Sequence, residues 1–232
     1  MKKYIAFFVF FSVQIFSQNF DYKDYGLLLN KHVSKQGNVN YHLLQSNKAD
    51  LNEVVKQFEV NYPTSKWSRN EVLAYYINAY NLYTLKKVVD NYPIKSIKNI
   101  NNAWDDKFIK LGSKKVSLSY IEHDILRKMN EPRIHFAINC ASFSCPNLIN
   151  EAYLPKTLEN QLELAAKKFI NDSSKNIITA NEIKISEIFN WFAKDFKTKN
   201  NSLIDYLNKY AEVKINENAK IRYLDYNWNL NE

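Results

Sequence analysis

Cys140 and Cys145 are the two cysteines of the chain, and they stand five residues apart in the stretch RIHFAINCASFSCPNL, residues 133–148, which also holds His135. A thiol becomes a competent nucleophile when a neighbouring imidazole lowers its pKa, and the partners of such a thiol are commonly distant in sequence. One reading is therefore Cys-dependent hydrolysis or group transfer, with Cys140 as thiolate, His123 or His135 as base, and Asn139, Asn78 or Glu122 orienting the base. A second is thiol redox chemistry or the sensing of a small, glutathione-like thiol. The four residues between the cysteines allow a turn that brings their Cα atoms within the roughly 4.4–6.8 Å a disulfide needs. So short a loop adds little to global stability, and the bridge could be exchangeable or plain structure. A third reading, zinc held by His123, His135, Cys140 and Cys145, is the weakest, because structural zinc sites usually offer a tighter Cys-x-x-Cys pair. The fourth is a ligand-binding or structural domain without turnover. We expect no metal and no cofactor.

The elements that would position these residues follow from periodicity. Residues 133–140 alternate, with Ile134, Phe136 and Ile138 on one side and His135, Ala137 and Asn139 on the other, which predicts a central half-buried strand. The strand gives way at Cys140 to Ala141, Ser142, Phe143 and Ser144, and Pro146 stops the ladder. Ser142 and Ser144 are candidate ligand contacts in that loop.

The strongest helix prediction begins at Ser68, where Ser68 and Glu71 form a capping-box pattern, and ends before Pro93. Residues 72–89 are apolar on nearly every face, so this helix should run through the centre of the domain. Asn78 and Asn81 interrupt it on one face. Buried amides must find partners, so both should bind backbone or pin a loop, with direct ligand contact as the alternative. Ser119 and Glu122 repeat the capping-box pattern ahead of a short helix over 120–129, which makes Glu122 a cap before it is an orienter of His123 or His135.

Earlier, residues 21–33 and 49–58 read as helices around a short extended piece at 38–41. Hairpins are expected around Gly112-Ser113 and at Ala180-Asn181, helices over 154–170, 186–196 and 202–210, and a closing strand over 221–226. This order does not alternate as βαβ units would. The fold class is α+β, mostly helical, with a small, mainly antiparallel sheet around a buried central helix.

Residues 1–17 carry two lysines, an apolar run and a small residue at Ser17, the layout of a secretory signal peptide, and the run is short for a membrane span. Its removal would leave 215 residues, residues 18–232, as one globular domain that is exported to the periplasm or beyond and has no stable membrane anchor. Without Lys2 and Lys3, 30 basic residues face 24 acidic ones, a net +6 scattered along the chain. Nucleic-acid binding calls for a clustered basic patch, so the expected partner is a small molecule or peptide. Nothing in the sequence specifies an oligomeric state.

Five stretches together resemble one family: LAYYINAYNLYTLKKVVDNYP (73–93), LSYIEHDIL (118–126), PRIHFAINCASFSCPNL (132–148), ISEIFNWFAKDF (185–196) and IRYLDYNWNLN (221–231). In that order they are similar to the domain of unknown function 547 (DUF547) family. Departures are minor: Tyr76 and Asn147 stand where relatives often carry Trp and Pro, and neither touches a thiol or a histidine. The resemblance implies an exported bacterial domain, also found in plant proteins, and no defined activity.

Overall fold

Three amphipathic helices lead into the core: α1 Lys23–His32, α2 Tyr41–Ser46 and α3 Lys48–Val60. The structure, a computed structural model, describes residues 20–197 and 201–232, so the signal-peptide reading of residues 1–17 lies outside the described residues. Among the described residues no helix is long and apolar enough to cross a membrane.

The next helix, α4, spans Arg69–Asn91, and α2 and α3 pack on it. Its start is fixed as predicted. The Ser68 hydroxyl accepts the Glu71 amide at 3.3 Å while the Glu71 carboxylate accepts the Ser68 amide at 2.7 Å, so two otherwise unpaired donors are satisfied reciprocally. From Leu73 to Val89 it is buried on almost all sides, Asn78 and Asn81 included, as a helix apolar all round must be.

The hairpin β1 Ile109–Leu111 and β2 Lys114–Val116 pairs antiparallel, with Gly112 at φ +61° supplying the left-handed turn residue. Beyond the site segment lie α5 Leu158–Ile170, β3 Ile177–Ile178, β4 Glu182–Ser186, α6 Ile188–Trp191, α7 Ala193–Phe196, α8 Leu203–Leu207 and β5 Lys220–Leu224. β3 and β4 are antiparallel, and β5 joins β4 in parallel with Ile185 opposite Tyr223. The α+β class therefore holds, with the strands divided between two small sheets.

Two apolar clusters result. The larger surrounds α4. The smaller is built from Phe136, Phe169, Phe189 and Phe196, with β4 and α8, and α5 contributes to both clusters.

The helix expected over 186–196 is divided at Phe192 into α6 and α7, α2 was not expected, and two predicted elements at the site differ in kind. Residues 133–140 do not form a strand: Pro132–Phe136 is a 3₁₀ turn, and the chain then runs irregularly to Cys140. Residues 134–139 are all buried, so the alternation did not mark an inside and an outside. Pro132 favours the turn start, where Glu131 accepts the Arg133 amide at 3.2 Å. The predicted helix over 120–129 opens instead as a π-helix, Tyr120–Leu126, followed by a 3₁₀ turn, Arg127–Met129. Its start is capped by the Ser117 hydroxyl, which accepts the Tyr120 amide at 3.1 Å, and not by the Ser119–Glu122 pair.

Candidate functional site

The wide turn over Tyr120–Leu126 leaves Glu122 facing inward and His123 at the surface, and both line a cavity of about 220 Å³ together with His135, Cys140 and Cys145. Five residues singled out in the sequence thus meet at one place. The rest of the wall is largely aromatic: Tyr80 from α4, Trp104, Trp191 and Phe192 after β4, and Tyr226 and Trp228 after β5. Trp191, Tyr226 and Trp228 pack on one another with centroids 4.6–5.8 Å apart.

The irregular backbone before the cysteines is held by side-chain amides. The Asn81 carboxamide donates to the Ala137 carbonyl at 2.9 Å and accepts the Asn139 amide at 2.8 Å. Asn139 then reaches forward, donating to the Pro146 carbonyl at 2.7 Å and accepting the Ala141 amide at 2.8 Å. These bonds replace a strand ladder, and Ala141 sits buried at φ +59° in the turn they define. Asn78 does similar work elsewhere, exchanging two bonds with the backbone of Tyr153 at 2.7 and 2.9 Å. Both α4 amides therefore bind backbone. Asn139 shapes the loop and forms no bond with an imidazole.

Cys140 and Cys145 form a disulfide with Cα atoms 6.2 Å apart. The site is accordingly not a free thiol beside a histidine, which corrects the expectation of Cys140 as a resting nucleophile. The two cysteines differ: Cys140 is partly exposed, whereas Cys145 is buried. A disulfide sulfur can only accept. Cys145 Sγ accepts the Cys140 amide at 3.0 Å and the Tyr226 hydroxyl at 3.2 Å. Cys140 Sγ has the Ser142 hydroxyl at 3.2 Å and the Tyr226 hydroxyl at 3.4 Å, and Ser142 in turn donates to Tyr226 at 3.1 Å. Burial pushes the Tyr226 phenol above its ordinary range, which keeps it a donor at neutral pH. Ser144 is not among the residues lining the cavity, and its hydroxyl accepts the Asn227 amide at 2.9 Å.

Neither imidazole bonds a sulfur. His135, 3% exposed, places Nε2 2.8 Å from Asp195 Oδ2 and stacks on Phe192 with centroids 4.1 Å apart. Asp195 also accepts two bonds from Arg127, at 2.6 and 2.9 Å, and Arg127 Nη1 lies 3.2 Å from His123 Nδ1. Burial works to raise the Asp195 carboxyl, but the bonds to His135 and Arg127 outweigh it and hold the group far below the usual carboxylate range. His135 and His123 are thus tied through one ion-paired cluster that ties α7 to the segment over residues 123–135.

Glu122 is buried and does not cap its helix. It lies against the Tyr80 phenol, which burial first and the Glu122 carboxylate second push well above the ordinary range. Among the described residues no three His, Cys, Asp or Glu side chains converge as metal ligands.

Sequence reasoning missed Asp195, Tyr226 and the tryptophan wall. Asp195, Trp191, Tyr226 and Trp228 lie in stretches that carry the family resemblance and Trp104 lies outside them, and none belongs to a motif that names a chemistry.

Residues 64–170 match the family model described as "Protein of unknown function, DUF547". That span contains α4, Glu122, both histidines of the cavity and both cysteines, and ends before Asp195 and Tyr226. No match to the chain is found among curated proteins or solved structures.

Proposed function

We propose that this cavity is a thiol–disulfide exchange site for a small thiol; residues 64–170 match a family model whose description names no activity, so the chemistry is argued from the cavity. The observation that carries this reading is the asymmetry of the disulfide. Cys140 is the partly exposed residue of the pair and Cys145 the buried one, and Cys145 Sγ accepts both the Cys140 amide and the Tyr226 hydroxyl.

In exchange, an incoming thiolate attacks one sulfur and the other leaves with the electron pair, and exchange is faster when the leaving thiol has the lower pKa. Attack on Cys140 forms a mixed disulfide there, breaks the Cys140–Cys145 bond and delivers the negative charge to Cys145. The two donors already in place stabilise that thiolate. A second thiol then attacks the mixed disulfide, releasing a small-molecule disulfide and leaving two protein thiols, one proton being taken from solvent for each thiolate that becomes a thiol. With residues 1–17 read as a signal peptide, the protein would work in an oxidising compartment, where such a bridge persists until a thiol meets it. The chain is then a redox or thiol-sensing module.

The Cys-hydrolase reading has less support, since the imidazoles bond Asp195 and Arg127 and not sulfur. Ligand binding without turnover is favoured by one observation, the aromatic wall, which needs no thiol to bind.

The test is the second-order rate at which 2-mercaptoethanol reduces the oxidised protein, followed by acid quench and mass analysis, with the urea-unfolded protein as reference. The folded disulfide should react faster than the unfolded one. A folded bridge that reacts more slowly, or only after global unfolding, would be structural and would remove this reading.

A further inference from the structure

Glu122 is 8% exposed, lines the cavity, and among the described residues has no Lys, Arg or His within ion-pairing distance. A buried carboxylate without a counter-ion is costly, and proteins keep one where a cation completes it. Here it faces a chamber walled by Tyr80, Trp104, Trp191, Tyr226 and Trp228. The faces of such rings carry negative quadrupole charge and attract cations, most strongly where water is excluded. Carboxylate and rings therefore favour the same sign of ligand.

The cations nearby do not cancel this. Arg127, whose field reaches Glu122, spends its guanidinium on Asp195 and His123. His135 bonds Asp195, and Lys98 lies 5.1 Å over the Trp228 ring. That lysine already uses one of these aromatic faces for an ammonium. At about 220 Å³ the cavity is smaller than the roughly 300–1,000 Å³ of a drug-sized site, so it suits a short molecule.

Resting on the exchange reading above, we infer that the cavity selects small thiols and disulfides that carry an ammonium group, with Glu122 as counter-charge beside the disulfide and the aromatic wall around the cation. Glu122 and Cys140 line one cavity, and Tyr226, whose hydroxyl lies 3.4 Å from the Cys140 sulfur, feels the Glu122 charge, so the ligand's cation and sulfur belong on one short molecule. The balanced reverse step is attack by the reduced Cys140 thiolate on a disulfide of the ligand. It gives a mixed disulfide and one ligand thiolate, and Cys145 then closes the protein bridge and releases the second.

The experiment measures reoxidation of the fully reduced protein by three disulfides of similar size: cystamine, 2-hydroxyethyl disulfide and dithiodiglycolic acid. Each rate is divided by the rate with the same reduced protein unfolded in urea, which removes the intrinsic reactivity of the reagent. The expected order is cationic, then neutral, then anionic, with cystamine preferred over the neutral reagent by about tenfold, within reach of one desolvated cation–π contact and its counter-charge. Glu122→Gln should abolish most of that preference, read as the ratio of the normalised cystamine rate to the normalised 2-hydroxyethyl disulfide rate, so that a general change in reactivity cancels. A normalised cystamine preference near one in the wild-type protein overturns the inference whether or not the variant folds. If all three reagents react rapidly without regard to charge, exchange stands and cation selection fails. If none reacts faster with the folded protein than with the unfolded one, the exchange reading itself fails, and this inference with it.

Discussion

The Tyr226 hydroxyl donates to the Cys145 sulfur at 3.2 Å and lies 3.4 Å from the Cys140 sulfur, so its single proton stands beside both halves of the disulfide and is given to Cys145. Reduction turns that contact into a hydrogen bond to a charged acceptor, worth ~1.5–3 kcal/mol. Tyr226→Phe should therefore slow thiol reduction of the bridge by roughly tenfold. It should also raise the pKa of the reduced Cys145 thiol, read as the pH midpoint of its alkylation. Unchanged rate and midpoint would mean that the phenol only fills space.

The disulfide loop is held by Asn81, which bonds the Ala137 carbonyl and the Asn139 amide. Asn81→Leu keeps the branched shape of the side chain and leaves both of those buried groups unpaired, at roughly 1–3 kcal/mol each. A fall of that size should appear as a lower urea midpoint at unchanged slope, together with faster, less selective reaction of the cysteines. Asn78→Leu should lose comparable stability through Tyr153 while leaving cysteine reactivity alone. Equal effects of the two variants on the cysteines would contradict the division of labour between these amides.

How much of this the sequence carried depends on the range of the physics. α4 was legible because its start is a local hydrogen-bond device and its burial is a composition signal. The hairpin at Gly112 was legible for similar reasons. Residues 133–140 were misread because period-two alternation in eight residues also arises when every residue is buried, and the groups that satisfy this backbone, Asn81 and Asn139, act from outside any ladder. Glu122 was misread as a cap because the pattern around Ser119 matches a capping box, and a π-helical start cannot be told from an α-helical one by residue type. The meeting of Glu122, His123, His135 and Cys140 was partly legible from their nearness in sequence. Asp195 and Tyr226 come from 60 and 86 residues away from their partners, and no short-range signal points across that distance.

Asp195 should set the acid limit of the fold's stability. Its folded pKa is depressed, because the bonds from His135 and Arg127 outweigh the opposing effect of burial. The sign follows: the stabilisation is complete above the ordinary Asp value of about 3.9 and is lost as pH falls from there towards the folded value. Asp195→Asn should flatten that acid limb in pH-dependent urea unfolding and lower stability at neutral pH. A variant with the wild-type acid limb would show that other carboxylates dominate it.

The central claim is that Cys140 is the sulfur that exchanges and Cys145 the one that leaves. The most direct measurement is the rate of mixed-disulfide formation with 2-hydroxyethyl disulfide, followed by intact mass, in the single variants Cys145→Ser and Cys140→Ser at neutral pH. Cys145→Ser should accumulate one adduct on Cys140 faster than the same protein unfolded, whereas buried Cys145 in Cys140→Ser should react more slowly than its unfolded reference. Equal, slow labelling of both variants, or faster labelling of Cys145, would contradict the account.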